Sequence, residues 1–499
     1  MPTPKTSESS PLRIAAVTPA DGHGRIGITL CPGKTDPHGR AGAWARDLDT
    51  DLDAVRDWGA TAVVTLITDE EIDYPQIPRL RQAVLDRHME WWHLPIEDGH
   101  SPPARGFEDK WEVAGEALRD RLRLGFDVLV HCRGGLGRAG TIAARLLVEL
   151  GERPDEAIRR VREVRPAAIE REFQEPHVRQ RSTQASSIPS RTAESIRDRA
   201  LGAFLGLAVG DAVGTTLEFR RRDAQPRVED MEGGGPFELP AGSWTDDTAM
   251  ALALAESLAT SEPLDPRDLM DRFVRWWRDG DYSCRGYCFD IGNTTRAALD
   301  RYLRTRDPLA GSTDPGSAGN GSLMRLAPVA LRFWQDRHRL AATAAEQSRT
   351  THGAEEAVDA CRAFAELLAD AIAGVRRADV LAPRRFEGAE AIARIMAGSW
   401  RGRPRNEIRS GGYVVHTLEA ALWSVARAGN FRNAVLLAAN LADDADTVAA
   451  VTGQLAGALY GLREIPDAWL ERLAWRDRLL EAGRRALAAP SAPATPEAD

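Results

Sequence analysis

Two short clusters of oxygen-bearing side chains stand out in this sequence. Thr245-Asp246-Asp247 leads into Met250-Ala-Leu-Ala-Leu-Ala-Glu-Ser-Leu258, and Asp443-Asp444-Ala-Asp446-Thr447 opens Val448-Ala-Ala-Val-Thr-Gly-Gln-Leu-Ala-Gly-Ala-Leu-Tyr460. Adjacent carboxylates repel each other and are costly to desolvate, so an apolar helix rarely opens with them unless something positive sits there. Asp and Thr are good helix N-caps, but one cap needs one such residue and these sites use three or four. The clusters lie 444 − 247 = 197 residues apart yet share one layout. If they meet in space, Thr245, Asp246, Asp247, Asp444, Asp446 and Thr447 form an all-oxygen site suited to hard cations, Mg²⁺ or Mn²⁺, rather than zinc.

A different chemistry is written into His131-Cys132-Arg133-Gly134-Gly135-Leu136-Gly137-Arg138. Glycines let backbone N–H groups turn inward around an anion, and a helix N-terminus adds its dipole. The same field favours a thiolate, making Cys132 a nucleophile. Arg138 can hold two phosphate oxygens at once. Residues 133 to 137 would form the phosphate cradle.

The elements that must position these groups differ between the two halves of the chain. From residue 12 apolar strand-like runs alternate with helical ones. Arg25–Leu30, Ala62–Ile67, Met89–Leu94 and Phe126–His131 read as strands, and 44–58, 77–86, 107–124, 142–150 and 154–164 as helices. Such alternation predicts an α/β domain on a largely parallel sheet. Residues 1–11 read as a loose lead-in, 181–197 as a linker rich in Ser, Gln, Arg and Pro, and 488–499 as a disordered tail. From 198 to 487 the texture is Ala- and Leu-rich without strand alternation, which predicts an all-α domain with helices at 248–260, 354–373 and 448–460. Glycines at 202, 206, 210 and 214 recur every fourth residue and make one smooth helix face for close packing.

The chain has 499 residues, enough for two or three domains. A formal charge of −9 argues against a general nucleic-acid binder. Five scattered cysteines exclude a disulfide scaffold and fit a reducing cytoplasm. No N-terminal apolar h-region is present, and no apolar run is expected to span a bilayer.

His-Cys-x₅-Arg, together with Gly24-Arg-Ile-Gly-Ile-Thr-Leu-Cys-Pro-Gly33, resembles the cysteine-dependent dual-specificity phosphatases, most of all their kinase-associated branch, over residues 12 to 180. The resemblance implies a phosphocysteine intermediate and an aspartate that protonates the leaving oxygen and then activates water. Asp98 holds the matching position in Leu94-Pro-Ile-Glu-Asp-Gly-His100, with Glu97 and Asp109 as alternatives. The family's hydroxyl after the arginine is missing here, where Ala139 stands, with Thr141 two residues on.

The later blocks, in order, are similar to the ADP-ribosylglycohydrolase family over 198–465. That resemblance implies an all-α domain with two Mg²⁺ or Mn²⁺ ions held by the two acid–threonine clusters. Glu218 matches the glutamate near the metals, and Asp290 and Asn293 match the pair beside the scissile bond. Either Asp290 or Glu218 would serve as the acid. The Gly-rich loop with Ser317, Gly319, Asn320, Gly321 and Ser322 matches the diphosphate-holding stretch, and His352 and Tyr413 match the residues flanking the ribose. The expected substrate is an ADP-ribosylated protein or small molecule, arginine being the favoured acceptor. A fused phosphatase implies a substrate that also carries phosphate, or alternatively a slow phosphate-binding module beside a hydrolase or reader of another ADP-ribose derivative.

Overall fold

Runs such as Ala60-Thr-Ala-Val-Val-Thr65 and Asp127-Val-Leu-Val-His-Cys132 are apolar on both faces, and both become interior strands. The computed structural model describes residues 3–39, 42–73, 79–102 and 106–488. It divides into two units, 1–187 with 401–404, and 188–400 with 405–499.

The first unit is an α/β layer structure. Its strands are β1 (Ala15–Val17), β2 (Ile26–Leu30), β3 (Thr35–Asp36), β4 (Trp44–Ala45), β5 (Ala60–Thr65), β6 (Glu90–His93) and β7 (Asp127–Cys132). Five of them form a sheet in the order β1-β2-β7-β5-β6, parallel except for β1, while β3 and β4 pair separately. Register places Leu30 beside Cys132 and Thr65 beside His131, so the carboxyl ends of the central strands converge where the phosphate loop begins. Leu48–Trp58, Phe107–Arg123, Gly137–Glu149 and Pro154–Val164 are the longer helices of the unit, and their apolar residues join those of the strands in one core.

Three sequence expectations change here. Residues 3–11 are not a loose lead-in: the Lys5 N–H bonds to Ala43 O at 2.9 Å, and buried Ser7 accepts from Asp47 N at 2.9 Å. Backbone pairing holds this polar segment, so hydrophobic patterning gave no sign of it. The same pairing draws Trp44 and Ala45 into β4, and the helix expected from 44 starts at Leu48, capped by Asp47 on Thr50 N at 2.7 Å. The helix expected over 77–86 is described as Leu80–Asp86, its first residues lying outside the described ones.

Among its described residues the regular elements of the second unit are all helices, joined by irregular loops and a few isolated bridges. Its first helix, Ala193–Gly214, begins inside the expected linker because Thr192 accepts from Ser195 N and caps it. The segment Ala193–Leu217 is long enough to cross a bilayer and holds an 18-residue window with a mean hydropathy of 1.5, a longer apolar run than the sequence expectation allowed. Here 94% of its apolar window is buried within the protein, so its apolarity is that of a core helix. The expected tail lies outside the described residues from 489 onward.

The glycine face does what its spacing predicted. A Cβ placed on Gly202, Gly206, Gly210 or Gly214 would lie 2.4, 2.3, 2.1 or 2.4 Å from the carbonyl oxygens of Gly457, Gly453, Ala449 and Ala445. All four belong to the helix Ala445–Tyr460, whose own Gly453 and Gly457 meet Gly206 and Gly202 backbone in return. Two backbones thus touch at four points over roughly three turns, with no side chain from these glycines between them. Gly210→Ala should destabilise this unit by about 1–3 kcal/mol, since the neighbour across the gap is rigid backbone. Chemical denaturation followed by tryptophan fluorescence checks this, and an unchanged midpoint would contradict the close contact.

Candidate active sites

In the first unit the helix Gly137–Glu149 starts directly after the loop that follows β7, with Leu136 as its N-cap residue. Cys132 is buried at the strand end, and its sulfur accepts from Gly135 N at 3.3 Å. Gly135 has φ +67 and its missing Cβ would lie 2.3 Å from the Thr29 carbonyl carbon, so only glycine fits there. Behind Cys132, His131 Nε2 lies 2.8 Å from Thr65 Oγ1, which accepts in turn from Trp91 Nε1 at 2.9 Å. Burial pushes the His131 imidazole down to about 3, so it stays neutral beneath the loop.

Arg138 points back under the loop with 2% of its side chain exposed. Its two terminal nitrogens donate to Glu71 at 2.6 and 2.9 Å, and Nη1 also donates to Ile96 O at 2.8 Å. Asp98 reaches the same guanidinium, 2.9 Å from Nη2, with its own side chain largely exposed. Glu97 instead lies beside His100, and Asp109 is exposed in the first turn of the helix Phe107–Arg123. Of the three acid candidates, the structure therefore brings Asp98 to the loop. Arg133 turns outward and donates to Asp36 at 3.0 Å, leaving the backbone of Gly134, Gly135, Leu136 and Gly137 as the cradle proper. Thr141 does not replace the hydroxyl missing at Ala139: it donates to Gly137 O at 2.8 Å, inside its own helix.

Sequence reasoning missed two residues of this site. Glu71, in the short helix Asp69–Asp73, fixes Arg138 through both oxygens. Burial works against its charge, but the Arg138 hydrogen bonds outweigh burial and hold the carboxyl below its usual range. Arg165 donates to Gly135 O at 2.9 Å and Gly134 O at 3.2 Å, turning the loop carbonyls away from the anion site. Neither lies within a motif; a glutamate 67 residues before its arginine is found only through the fold.

In the second unit the two acid clusters meet. Thr245 Oγ1 lies 3.0 Å from Asp211, 3.4 Å from Asp247 and 3.3 Å from Asp446, and Thr447 Oγ1 lies 3.3 Å from Asp247. Thr245, Asp246, Asp247, Asp446 and Thr447 are buried, and Asp444 is half-buried. Carboxylate oxygens of Glu218, Asp444 and Asp446 come within 4.8 Å of one another. Glu218 also caps the helix Ala445–Tyr460, accepting from Ala445 N at 2.8 Å and Asp446 N at 3.2 Å. Asp443, by contrast, is exposed and serves through its backbone, which pairs with the segment after Glu218.

Burial first, and then the neighbouring carboxylates, raise these acids. Asp444 goes up to about 7 and Asp290 to about 9, while Glu218, Asp246 and Asp247 rise well above the carboxylate range. Asp247 Oδ1 is buried without a hydrogen-bond partner. An orphaned carboxylate oxygen in an all-oxygen set of mutually repelling acids fits a hard divalent cation, which would supply the missing positive charge.

Asp211 lies on the glycine-spaced helix Ala193–Gly214. It is fully buried and accepts from the backbone N–H and hydroxyl of both Thr245 and Thr248 at 2.6 to 3.1 Å. It caps the helix Asp246–Leu258 from a neighbouring helix and orients Thr245.

The expected ADP-ribose residues divide. Asn320 donates to Asp444 and, at 2.8 Å, to Thr417, which ties the glycine loop to the acid cluster. Gly319 forms a bridge with Tyr413, and a Cβ on Gly321 would lie 2.7 Å from the His352 ring. His352 is buried, bonded to Thr351 Oγ1 at 2.8 Å and pushed by burial down to about 3, so it is neutral. Tyr413 is partly exposed and its hydroxyl donates to Glu356. Asn293 is exposed at the start of the helix Asn293–Thr305, three residues beyond Asp290. Ser322 is a correction: it is fully buried against Ser348 (2.8 Å) and Cys361 (3.4 Å) and cannot face a ligand. The turn at Leu323 carries it into the core. Ser317 spends its hydroxyl on Asp314 O at 2.6 Å, holding the loop rather than offering a free donor.

Comparison with known proteins assigns both units. Residues 192–495 match the family model described as ADP-ribosylglycohydrolase, and 41–178 match that of the Swiss Army Knife protein, DSP-PTPase phosphatase domain. The ADP-ribosylarginine hydrolase Tri1 of Pseudomonas putida (strain GB-1) is 50% identical over 291 residues, covering 58% of this chain and 77% of that protein. The ADP-ribosyl-[dinitrogen reductase] glycohydrolase of Rhodospirillum rubrum is 34% identical over 288 residues, covering 56% and 92%. Among solved structures, one described as an ADP-ribosylglycohydrolase-related protein complex is 44% identical, with a TM-score of 0.53, covering 59% of this chain and 98% of that one.

The raised acids give a test of cation binding. A carboxyl whose folded pKa lies above its unfolded value stabilises the fold below the unfolded value, and that stability is lost as pH rises through the folded one. Cation-free protein should therefore lose stability from about pH 4 through 7 to 9, the range of Asp444 and Asp290. Mg²⁺ or Mn²⁺ should restore it, by about 2.7 kcal/mol at a hundredfold excess over Kd. Thermal melts should show a larger cation-induced rise at pH 8 than at pH 5; equal rises, or none, would remove the acid cluster as the cation's seat.

Proposed function

The chain belongs to the ADP-ribosylglycohydrolase family, and from that membership we propose that its second unit hydrolyses the bond between ADP-ribose and an arginine side chain, with two Mg²⁺ or Mn²⁺ ions as cofactors. The observation that carries this is the meeting of the two clusters, Thr245 with Asp446 and Thr447 with one oxygen of Asp247, while the other oxygen of Asp247 is buried without a partner. Thr245, Asp246, Asp247, Asp444, Asp446 and Thr447 would hold the ions, and bound ions would polarise ribose hydroxyls or a water. Glu218 is committed to the helix N-terminus by one oxygen, whereas Asp290 is half-exposed at the mouth. Asp290 is therefore the better-placed proton donor to the departing guanidine nitrogen. Gly319, Asn320 and Gly321 line the loop that would receive the diphosphate, with neutral His352 packed against them.

The first unit is a dual-specificity phosphatase-like domain, and the finer assignment follows the same form. Cys132 attacks phosphorus, the cradle N–H groups and Arg138 hold the non-bridging oxygens, and Asp98 protonates the leaving oxygen before activating water. Ala139, with Thr141 turned into its helix, supports slow breakdown of the phosphocysteine. That favours a second reading in which the unit mainly retains a phosphate-bearing ligand.

Two experiments test these assignments. An ADP-ribosylarginine peptide should release free ADP-ribose in Mg²⁺ or Mn²⁺, and both EDTA and Asp246→Asn should lower the rate by roughly 100-fold or more. Release untouched by either treatment would overturn the proposed chemistry. With an aryl phosphate, rapid-mixing kinetics should show a burst of one aryl alcohol per Cys132 and then slow turnover. Cys132→Ser should abolish both phases and Ala139→Ser should speed the second; a burst-free trace with full steady-state rate would exclude the slow-turnover reading.

A further inference from the structure

Four aromatic side chains form one connected cluster beside the acids of the hydrolase unit. Phe219 directly follows Glu218, and Phe289 directly precedes Asp290. Phe237 joins the two segments: its ring centroid lies 6.3 Å from Phe219 and 5.4 Å from Phe289, and Tyr287 continues the row 5.8 Å beyond Phe289. The rings therefore bridge the two segments that deliver Glu218 and Asp290.

Their exposure is not that of a core. Phe219 is 64% and Tyr287 56% exposed, and Phe237 and Phe289 are half-buried, whereas Trp244, Trp276, Trp423 and Trp469 of the same unit are fully buried. The backbone is bent to keep them there. Phe219 and Asp290 both hold left-handed φ angles, +56 and +55, which a bulky side chain adopts only when its surroundings fix it. At Phe219 the fixing bond is its N–H to Asp443 O at 2.7 Å. Glu218 is thereby buried among the acids while the next side chain faces solvent.

A row of exposed π-faces bordering a strongly acidic pocket suits a flat cation. A guanidinium stacks on aromatic rings through the ring quadrupole, and it leaves its charge facing the carboxylates. We propose that Phe219, Phe237, Tyr287 and Phe289 are the acceptor subsite: the guanidinium-bearing side chain of an ADP-ribosylated protein lies against these rings while its glycosidic bond meets Glu218 and Asp290. The rings select for an arginine acceptor over a neutral hydroxyl one. This rests on the arginine hydrolase assignment above.

The test uses the full chain, an ADP-ribosylarginine protein and free ADP-ribose. Phe219→Leu and Tyr287→Leu keep bulk but lose the quadrupole, and each should lower kcat/KM on the arginine-linked substrate roughly 3- to 30-fold. Calorimetric affinity for free ADP-ribose should stay within about twofold, and Tyr287→Trp should retain the rate. Unchanged kcat/KM in both leucine variants would overturn the subsite. So would a parallel loss of ADP-ribose affinity, which would mean that the rings hold the nucleotide or only the fold. A wild-type protein that releases nothing from arginine overturns the assignment and the subsite together; variant indifference with an active wild type overturns the subsite alone.

Discussion

The backbone contact between the helices Ala193–Gly214 and Ala445–Tyr460 governs the hydrolase unit. Every chemical group of that unit's acid cluster is referred to it. Asp211 sits one residue after Gly210 on the first helix and fixes Thr245 and Thr248, and so the start of the helix Asp246–Leu258. Asp444, Asp446 and Thr447 lie at the start of the second helix, roughly three turns before the far glycine, Gly457. With a methyl in that gap the helices would have to separate by roughly 1 Å, enough to take Thr245 Oγ1, now 3.3 Å from Asp446, out of hydrogen-bond range. Glycine here sets a distance, and the distance sets whether Thr245 can reach Asp446.

How much of this was legible depended on whether information was local. The glycine repeat and the acid clusters are each contained in one helix, so their spacing revealed both the packing face and the candidate ligands. Strand–helix alternation likewise marked the sheet around Cys132. What stayed hidden was contributed from elsewhere in the chain. Glu71, Arg165 and Asp211 are ordinary charged residues until the fold places them beside Arg138, Gly135 and Thr245. Ser322 erred in the other direction: it sits in a glycine-rich loop yet is turned into the core beside Ser348. The early segment around Lys5 and Ser7 was missed because backbone pairing leaves no hydrophobic trace.

The two sites solve opposite electrostatic problems. The loop after β7 gathers donors, and Arg138 beside it is held by the carboxylates of Glu71 and Asp98. The hydrolase cluster gathers acceptors, with no arginine or lysine among the groups that contact Thr245. The first is balanced by the protein itself. In the second, burial first and then repulsion among the carboxylates push Asp444 and Asp290 up, and a bound cation would offset that repulsion.

That repulsion gives the strained backbone a purpose. Left-handed angles at Phe219, Asp290 and Asp443 fall on the segments that bring Glu218, Asp290 and Asp444 to the cluster. Each costs of order 1–3 kcal/mol, on top of the repulsion among the acids. A fold under no functional demand would relax by letting these loops open and the carboxylates reach water. It is prevented from doing so by the Glu218–Asp443 bridge, the Asn320–Asp444 bond and the close-packed helices beneath. Charge repulsion and backbone strain thus fall on the same three segments, and the arrival of positive charge would offset the repulsion.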